Sequence, residues 1–130
     1  MIVVDASVLA RVLIDDGADG RRARARLRGE RLTAPFVVDI EVMSAVRKIA
    51  RLRALDERRL DQSLADLMST PVRRVPHTPL LPRIWALRHK LTPYDAAYVA
   101  LAEALGAPLL TADRRLAGAP GLECEIELIP

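Results

Sequence analysis

The sequence predicts an α/β fold in which helices pack around a small, mostly parallel sheet, and three observations carry that prediction. Short aliphatic runs alternate with longer stretches whose apolar residues recur at helical spacing. The first run is continuously apolar, as strands covered on both faces are. No repeat or low-complexity linker interrupts the alternation over 130 residues, a length that suits one domain, residues 1–130, with one core.

Taken in order, "MIVVD" reads as a buried strand, followed by a turn at Asp5 to Ser7. Val8, Leu9, Val12 and Leu13 then recur as one helix face, with Ser7 as the expected cap. "GADGRRARARLRGER" is a loop running into a basic helix. "LTAPFVVDIEVMSAVRKIARLRAL" is a second helix, starting after Pro35, with Asp39 and Glu41 in or near its first turns. A third helix, "LDERRLDQSLADLMST", repeats Leu60, Leu64 and Leu67 and stops before Pro71. "VRRV" is a short strand and "PLLPRIWALRHKL" a helix. The chain closes with the apolar helix "TPYDAAYVALAEALG", the strand "PLLTAD" and the alternating strand "ECEIELI".

Composition narrows the class. Apolar residues make up 51% and charged residues 28%, a globular balance, and with aromatics at 3% the core must be aliphatic. Asp5 lies inside the first apolar stretch, which lacks a basic leader and is too short to span a bilayer, so a cytoplasmic protein is expected. The single cysteine, Cys124, excludes an internal disulfide and a Cys-based zinc site, and reads as a strand residue. Of the 20 basic residues all but Lys48 and Lys90 are Arg, whose forked geometry suits phosphates and carboxylates. The runs "RRARARLRGER" and "RKIARLR" have an ordinary role as solvated helix faces; with Arg114 and Arg115 they also offer a rim for an RNA backbone. His77 and His89 lack ligand spacing and read as surface residues.

Each acidic residue has an ordinary role when taken singly. Asp95 follows Thr92 and Pro93 as the N3 acid of a capped helix. Asp5 is a turn acid, Asp113 caps a short helix, Thr111 is a β-branched strand residue, and Glu41 pairs with Arg47 or Lys48. Asp39 reads as a capping acid. The positions i+3, i+4 and i+7 from Asp95 are Tyr98, Val99 and Ala102, a face poor in polar groups for a solvated acid. Asp5 and Asp113 end strands, on the side where open α/β sheets bind ligands. Together Asp5, Glu41, Asp95 and Asp113 outline one acidic pocket, in which carboxylates repel unless a cation neutralises them. Oxygen donors without a His cluster favour Mg²⁺ or Mn²⁺, and that composition suits phosphodiester hydrolysis by a metal-activated water.

The segments "IVVDASVLA", "APFVVDIEVMSAVRK" and "LTPYDAAYVALAEALGAPLLTADRRL" resemble, in order, the motifs of PIN-domain ribonucleases, specifically the VapC toxins of bacterial toxin–antitoxin pairs. The resemblance implies a three-layer α/β/α sandwich and a Mg²⁺-dependent endoribonuclease, toxic by cutting RNA, that forms a homodimer and is inhibited by a VapB-like antitoxin. It implies that Asp5, Asp95 and Asp113 hold the metal, that Glu41 orients or deprotonates the attacking water, and that Ser7 and Thr111 support the site. A phosphoaspartate enzyme or receiver domain also gathers Asp residues around Mg²⁺. A haloacid-dehalogenase-type phosphatase wants a second Asp where Ser7 stands, and a receiver wants an acidic pair after the first strand and a late Lys. A catalytically silent antitoxin-binding module keeps the fold and leaves the acidic set without a reason.

Overall fold

A computed structural model describes all 130 residues. The chain runs β1 (Ile2–Val4), α1 (Ala6–Ile14), α2 (Ala18–Leu27), β2 (Leu32–Pro35), α3 (Val38–Arg53), α4 (Glu57–Ser69) and β3 (Val72–Val75). A single 3-10 turn at Thr78–Leu80 then leads into α5 (Leu81–Ala86), α6 (Pro93–Leu105), β4 (Leu109–Thr111), α7 (Arg114–Ala117) and β5 (Ile126–Leu128). The five strands form one sheet in the order β3-β2-β1-β4-β5, every neighbouring pair parallel. Helices flank it: α1 packs with α2, α3 and α4, whereas α6 lies against β1, β2, β4 and α5.

That order explains where a site can form. From β1 the chain moves outward through β2 to β3, then crosses back to β4 and outward again to β5. The carboxyl ends of β1 and β4 therefore border the crevice where the direction of winding reverses, the usual ligand position in such sheets.

The core is aliphatic, as composition requires. Ile2, Val3 and Val4 are buried together with Val8, Leu9, Leu109, Leu110 and Leu116, and Tyr98 is its largest side chain. Helix α6 buries every residue from Ala96 to Ala102, because the sheet covers one side and α5 another. Its apolar character on nearly all sides follows from that double covering. Gly106 ends it at φ +60°, a left-handed conformation glycine adopts without a Cβ clash, while the amide of Ala107 donates to Ala102. No helix is long and apolar enough to cross a membrane.

Several expectations shift. Leu32–Pro35, where the sequence predicts no strand ahead of the helix expected after Pro35, is strand β2, paired with both β1 and β3; the helix begins at Val38. Four residues ending in Pro carry too little period to announce a strand, and the two neighbouring strands supply the partners that make it one. Asp5 rather than Ser7 caps α1, its carboxylate accepting from the Ser7 amide. Asp39 caps nothing; it accepts a fork from Arg74 Nε and Nη2 that ties α3 to β3. Cys124 lies at a bend two residues before β5 begins.

Candidate active site

Asp5 stands where β1 hands over to α1 and is only 6% exposed. A buried carboxylate is tolerated when donors surround it, and three do. The Ser7 amide and Ser7 hydroxyl both donate to Oδ1, the amide at 2.5 Å, and the Thr111 hydroxyl donates to Oδ2 at 2.5 Å. Both hydroxyls accept in turn, Ser7 Oγ from the Ala112 amide and Thr111 Oγ1 from the Asp113 amide, each at 3.0 Å. With both hydrogen positions thus committed, neither hydroxyl is free to rotate. Burial pushes the Asp5 pKa above the ordinary aspartate value; the bonds from Ser7 and Thr111 oppose that rise, and the charge of Asp95 adds to it.

Glu41 projects from the first turn of α3 into the same region. Burial raises its pKa, the neighbouring Tyr98 hydroxyl opposes the rise, and the charges of Asp95 and Asp5 reinforce it. Its Oε1 and the Tyr98 hydroxyl are both shielded from solvent, and neither makes an aligned hydrogen bond. The phenol is pushed well above its ordinary pKa, first by burial and then by the Glu41 charge. Glu41 forms no ion pair with Arg47 or Lys48, contrary to its ordinary expected role. Tyr98 appears in the sequence only as an apolar neighbour of Asp95; a tyrosine where phenylalanine would fill the same space was the available signal.

Asp95 occupies the first turn of α6. Thr92 Oγ1 accepts from the Asp95 amide at 3.2 Å, with Pro93 as the first helical residue, so the expected cap is present. The Asp95 carboxylate is 17% exposed, and its Oδ2 accepts from Arg115 Nη2 at 2.8 Å. Asp113 caps α7, its Oδ1 accepting from the amides of Arg115 at 2.8 Å and Leu116 at 3.4 Å. Its Oδ2 lies 3.3 Å from the same Arg115 nitrogen.

Asp5, Glu41 and Asp95 are thus electrostatic neighbours, Ser7 and Thr111 lock Asp5, and Asp113 joins Asp95 through Arg115. As the side chains stand, no three of the chain's Asp, Glu, His and Cys groups are arranged to hold one ion. The donor chemistry nevertheless fits a hard divalent cation. Every donor is an oxygen, two carboxylates carry raised pKa values, and one shielded carboxylate oxygen has no hydrogen-bond partner.

The basic runs separate in the structure. Arg47, Lys48 and Arg51 line a groove of about 580 Å³ together with Glu41. In α2, Arg24 donates to the carbonyls of Val12 and Asp15, and Arg26 forks onto Glu127, so both are committed to packing. His77 and His89 are exposed, as expected.

The model of the PIN domain family matches residues 2–122. A VapC ribonuclease of Mycobacterium bovis is 44% identical over 133 residues, covering 100% of this chain and 99% of that protein. Ribonuclease VapC1 of Mycobacterium tuberculosis is 43% identical over 128 residues, covering 98% and 96%. Among solved structures, Mycobacterium tuberculosis VapC20, described as a sarcin–ricin loop cleaving toxin, superimposes with a TM-score of 0.70 at 20% identity, covering 96% of this chain and 99% of that one. A toxin–antitoxin complex from Klebsiella pneumoniae superimposes with a TM-score of 0.67 at 21% identity, covering 100% and 98%. The chain belongs to the PIN-domain family and, within it, to the VapC ribonucleases.

Proposed function

We propose that this protein is the toxin of a toxin–antitoxin pair and an endoribonuclease that hydrolyses RNA phosphodiester bonds at the pocket formed by Asp5, Glu41, Asp95 and Asp113. One observation carries the reading above all: a buried, triply bonded Asp5 at the sheet's reversal point, with the orphaned Glu41 oxygen and Asp95 as its charged neighbours.

Asp5, Asp95 and Asp113 are the residues that would hold a divalent cation, Mg²⁺ with Mn²⁺ as its substitute. When bound, such a cation supplies positive charge for phosphate oxygens and acidifies an attacking water. Ser7 and Thr111 keep the Asp5 carboxylate aimed, since neither hydroxyl can turn without losing its own amide donor. Glu41 is the proton acceptor. Its raised pKa makes it a stronger base than an exposed glutamate, and Tyr98 beneath it limits the directions its carboxylate can face. The Arg47, Lys48 and Arg51 groove beside Glu41 would track the RNA backbone, as would Arg114 at the other margin.

A VapB-like antitoxin is the partner. The apolar groove between α3 and α4, about 460 Å³ and lined by Val42, Met43, Val46, Leu60 and Leu64, supports a protein occupant. Phe36, Trp85 and Tyr94 remain largely exposed and support contact with a second copy in a homodimer. An RNA substrate and such a partner support a cytoplasmic location. A catalytically silent module would leave the shielded Glu41 oxygen without a role.

The test uses antitoxin-free protein and a structured RNA. Cleavage is expected with Mg²⁺ or Mn²⁺ and should disappear in excess chelator; equal cleavage under both conditions would refute the cation-dependent reading.

A further inference from the structure

We propose that Arg115 is a built-in counter-ion of the acidic site, which a divalent cation must displace from Asp95 and Asp113 before it binds. The inference rests on the reading of this pocket as the cation site of a ribonuclease.

The way Arg115 is held sets it apart from the protein's structural arginines. Arg26 grips Glu127 through Nε at 2.7 Å and Nη2 at 2.8 Å, Arg83 grips Glu103 through the same two nitrogens at 2.7 and 3.1 Å, and Arg74 does likewise with Asp39. Those forks match both edges of one carboxylate and are partly shielded, with arginine side chains 26–35% exposed. Arg115 makes no fork. Its Nη2 alone reaches Asp95 Oδ2 at 2.8 Å and Asp113 Oδ2 at 3.3 Å, two carboxylates on different elements, and its side chain is 64% exposed. A pairing through one nitrogen of a largely exposed guanidinium is readily exchanged.

The tether is local, however. The Arg115 amide donates to Asp113 Oδ1 at 2.8 Å, so the base of the side chain stays beside the pocket wherever its tip goes. Without a cation, the guanidinium offsets the Asp95 charge that otherwise presses on Asp5 and Glu41. Asp95 Oδ2 and Asp113 Oδ2 are then occupied by Arg115, and a cation ligated by those carboxylates competes with it directly. Once displaced, the guanidinium remains at the margin of the pocket with its donors free, placed to meet a phosphate of the RNA.

The test is calorimetric titration of the antitoxin-free protein with Mn²⁺, comparing the parent with Arg115→Ala, Arg115→Gln and Asp95→Asn. Loss of the competitor should tighten Mn²⁺ binding by roughly threefold or more in Arg115→Ala, and lower its melting temperature in chelator below that of the parent. Arg115→Gln keeps the length and loses the charge, and carries the same expectation if the alanine variant folds poorly. Asp95→Asn should bind Mn²⁺ more weakly than the parent. Unchanged or weaker affinity in both Arg115 variants, with Asp95→Asn impaired, overturns the counter-ion assignment alone. A parent that binds no Mn²⁺, or an Asp95→Asn variant that binds it as the parent does, overturns the cation site and this inference with it.

Discussion

The Thr111 hydroxyl donates to Asp5 Oδ2 at 2.5 Å, joining residues 106 positions apart in the chain. The parallel pairing of β1 with β4, with Val4 opposite Leu110, places one at the end of each strand. This bond links the fold to the site: the same contact that closes the sheet's reversal point fixes the direction of its most buried carboxylate.

Replacing Thr111 with Val keeps the shape and removes the hydroxyl. Asp5 loses a donor and the Asp113 amide loses its acceptor, so Thr111→Val should destabilise the fold by about 1–3 kcal/mol and slow RNA cleavage. Thr111→Ser should recover most of both. Denaturant unfolding and initial cleavage rates measure this; a Val variant with parental stability and rate would show that the bond carries no weight.

Asp95→Asn is expected to fold as the parent does, because the cap depends on the Asp95 amide and Thr92 Oγ1 and leaves the carboxylate out. Cleavage and toxicity should be lost with the charge. If the variant cuts RNA at the parental rate, Asp95 serves the helix only.

Glu41 has its pKa raised above the ordinary 4.5, chiefly by burial. Below that ordinary value the side chain is protonated in folded and unfolded states alike and contributes no difference. As pH climbs through the raised folded value the unfolded state gives up its proton more readily, and stability falls. In chelator, Glu41→Gln should therefore melt higher than the parent at pH 7–8, by roughly 1–3 °C given solvent screening, and the gap should shrink toward pH 4. Thermal melts across that range check the sign; a gap that widens on acidification contradicts it.

Gly20 packs α2 against the end of α1 so closely that a Cβ there would lie 1.8 Å from the Asp15 carbonyl oxygen. Backbone cannot yield as a flexible side chain does. Gly20→Ala should cost about 1–3 kcal/mol, whereas Gly118→Ala, where the nearest atom is 3.4 Å away, should cost far less. Chemical denaturation of the two variants side by side decides it.

The α/β alternation, the aliphatic core and the capped start of α6 were legible in the residue order, because each is written in neighbouring residues: periodicity, and Pro and Gly punctuation. Asp5 and Asp113 read as strand ends; the two strands are paired, but β4 stops at Thr111 and Asp113 lies two residues beyond it, as the cap of α7. The remaining features depend on contacts between distant segments. Leu32–Pro35 became a strand because β1 and β3 offered hydrogen-bond partners on both edges. Asp39 turned from cap to ion-pair partner because β3 brings Arg74 to it from 35 residues away. Tyr98 met Glu41, and Arg115 met Asp95, because α6 and α7 converge on the crevice at the point of reversal. A local pattern sets which element a residue joins, but which residue it faces depends on the order of strands in the sheet, and no short window of sequence contains that order.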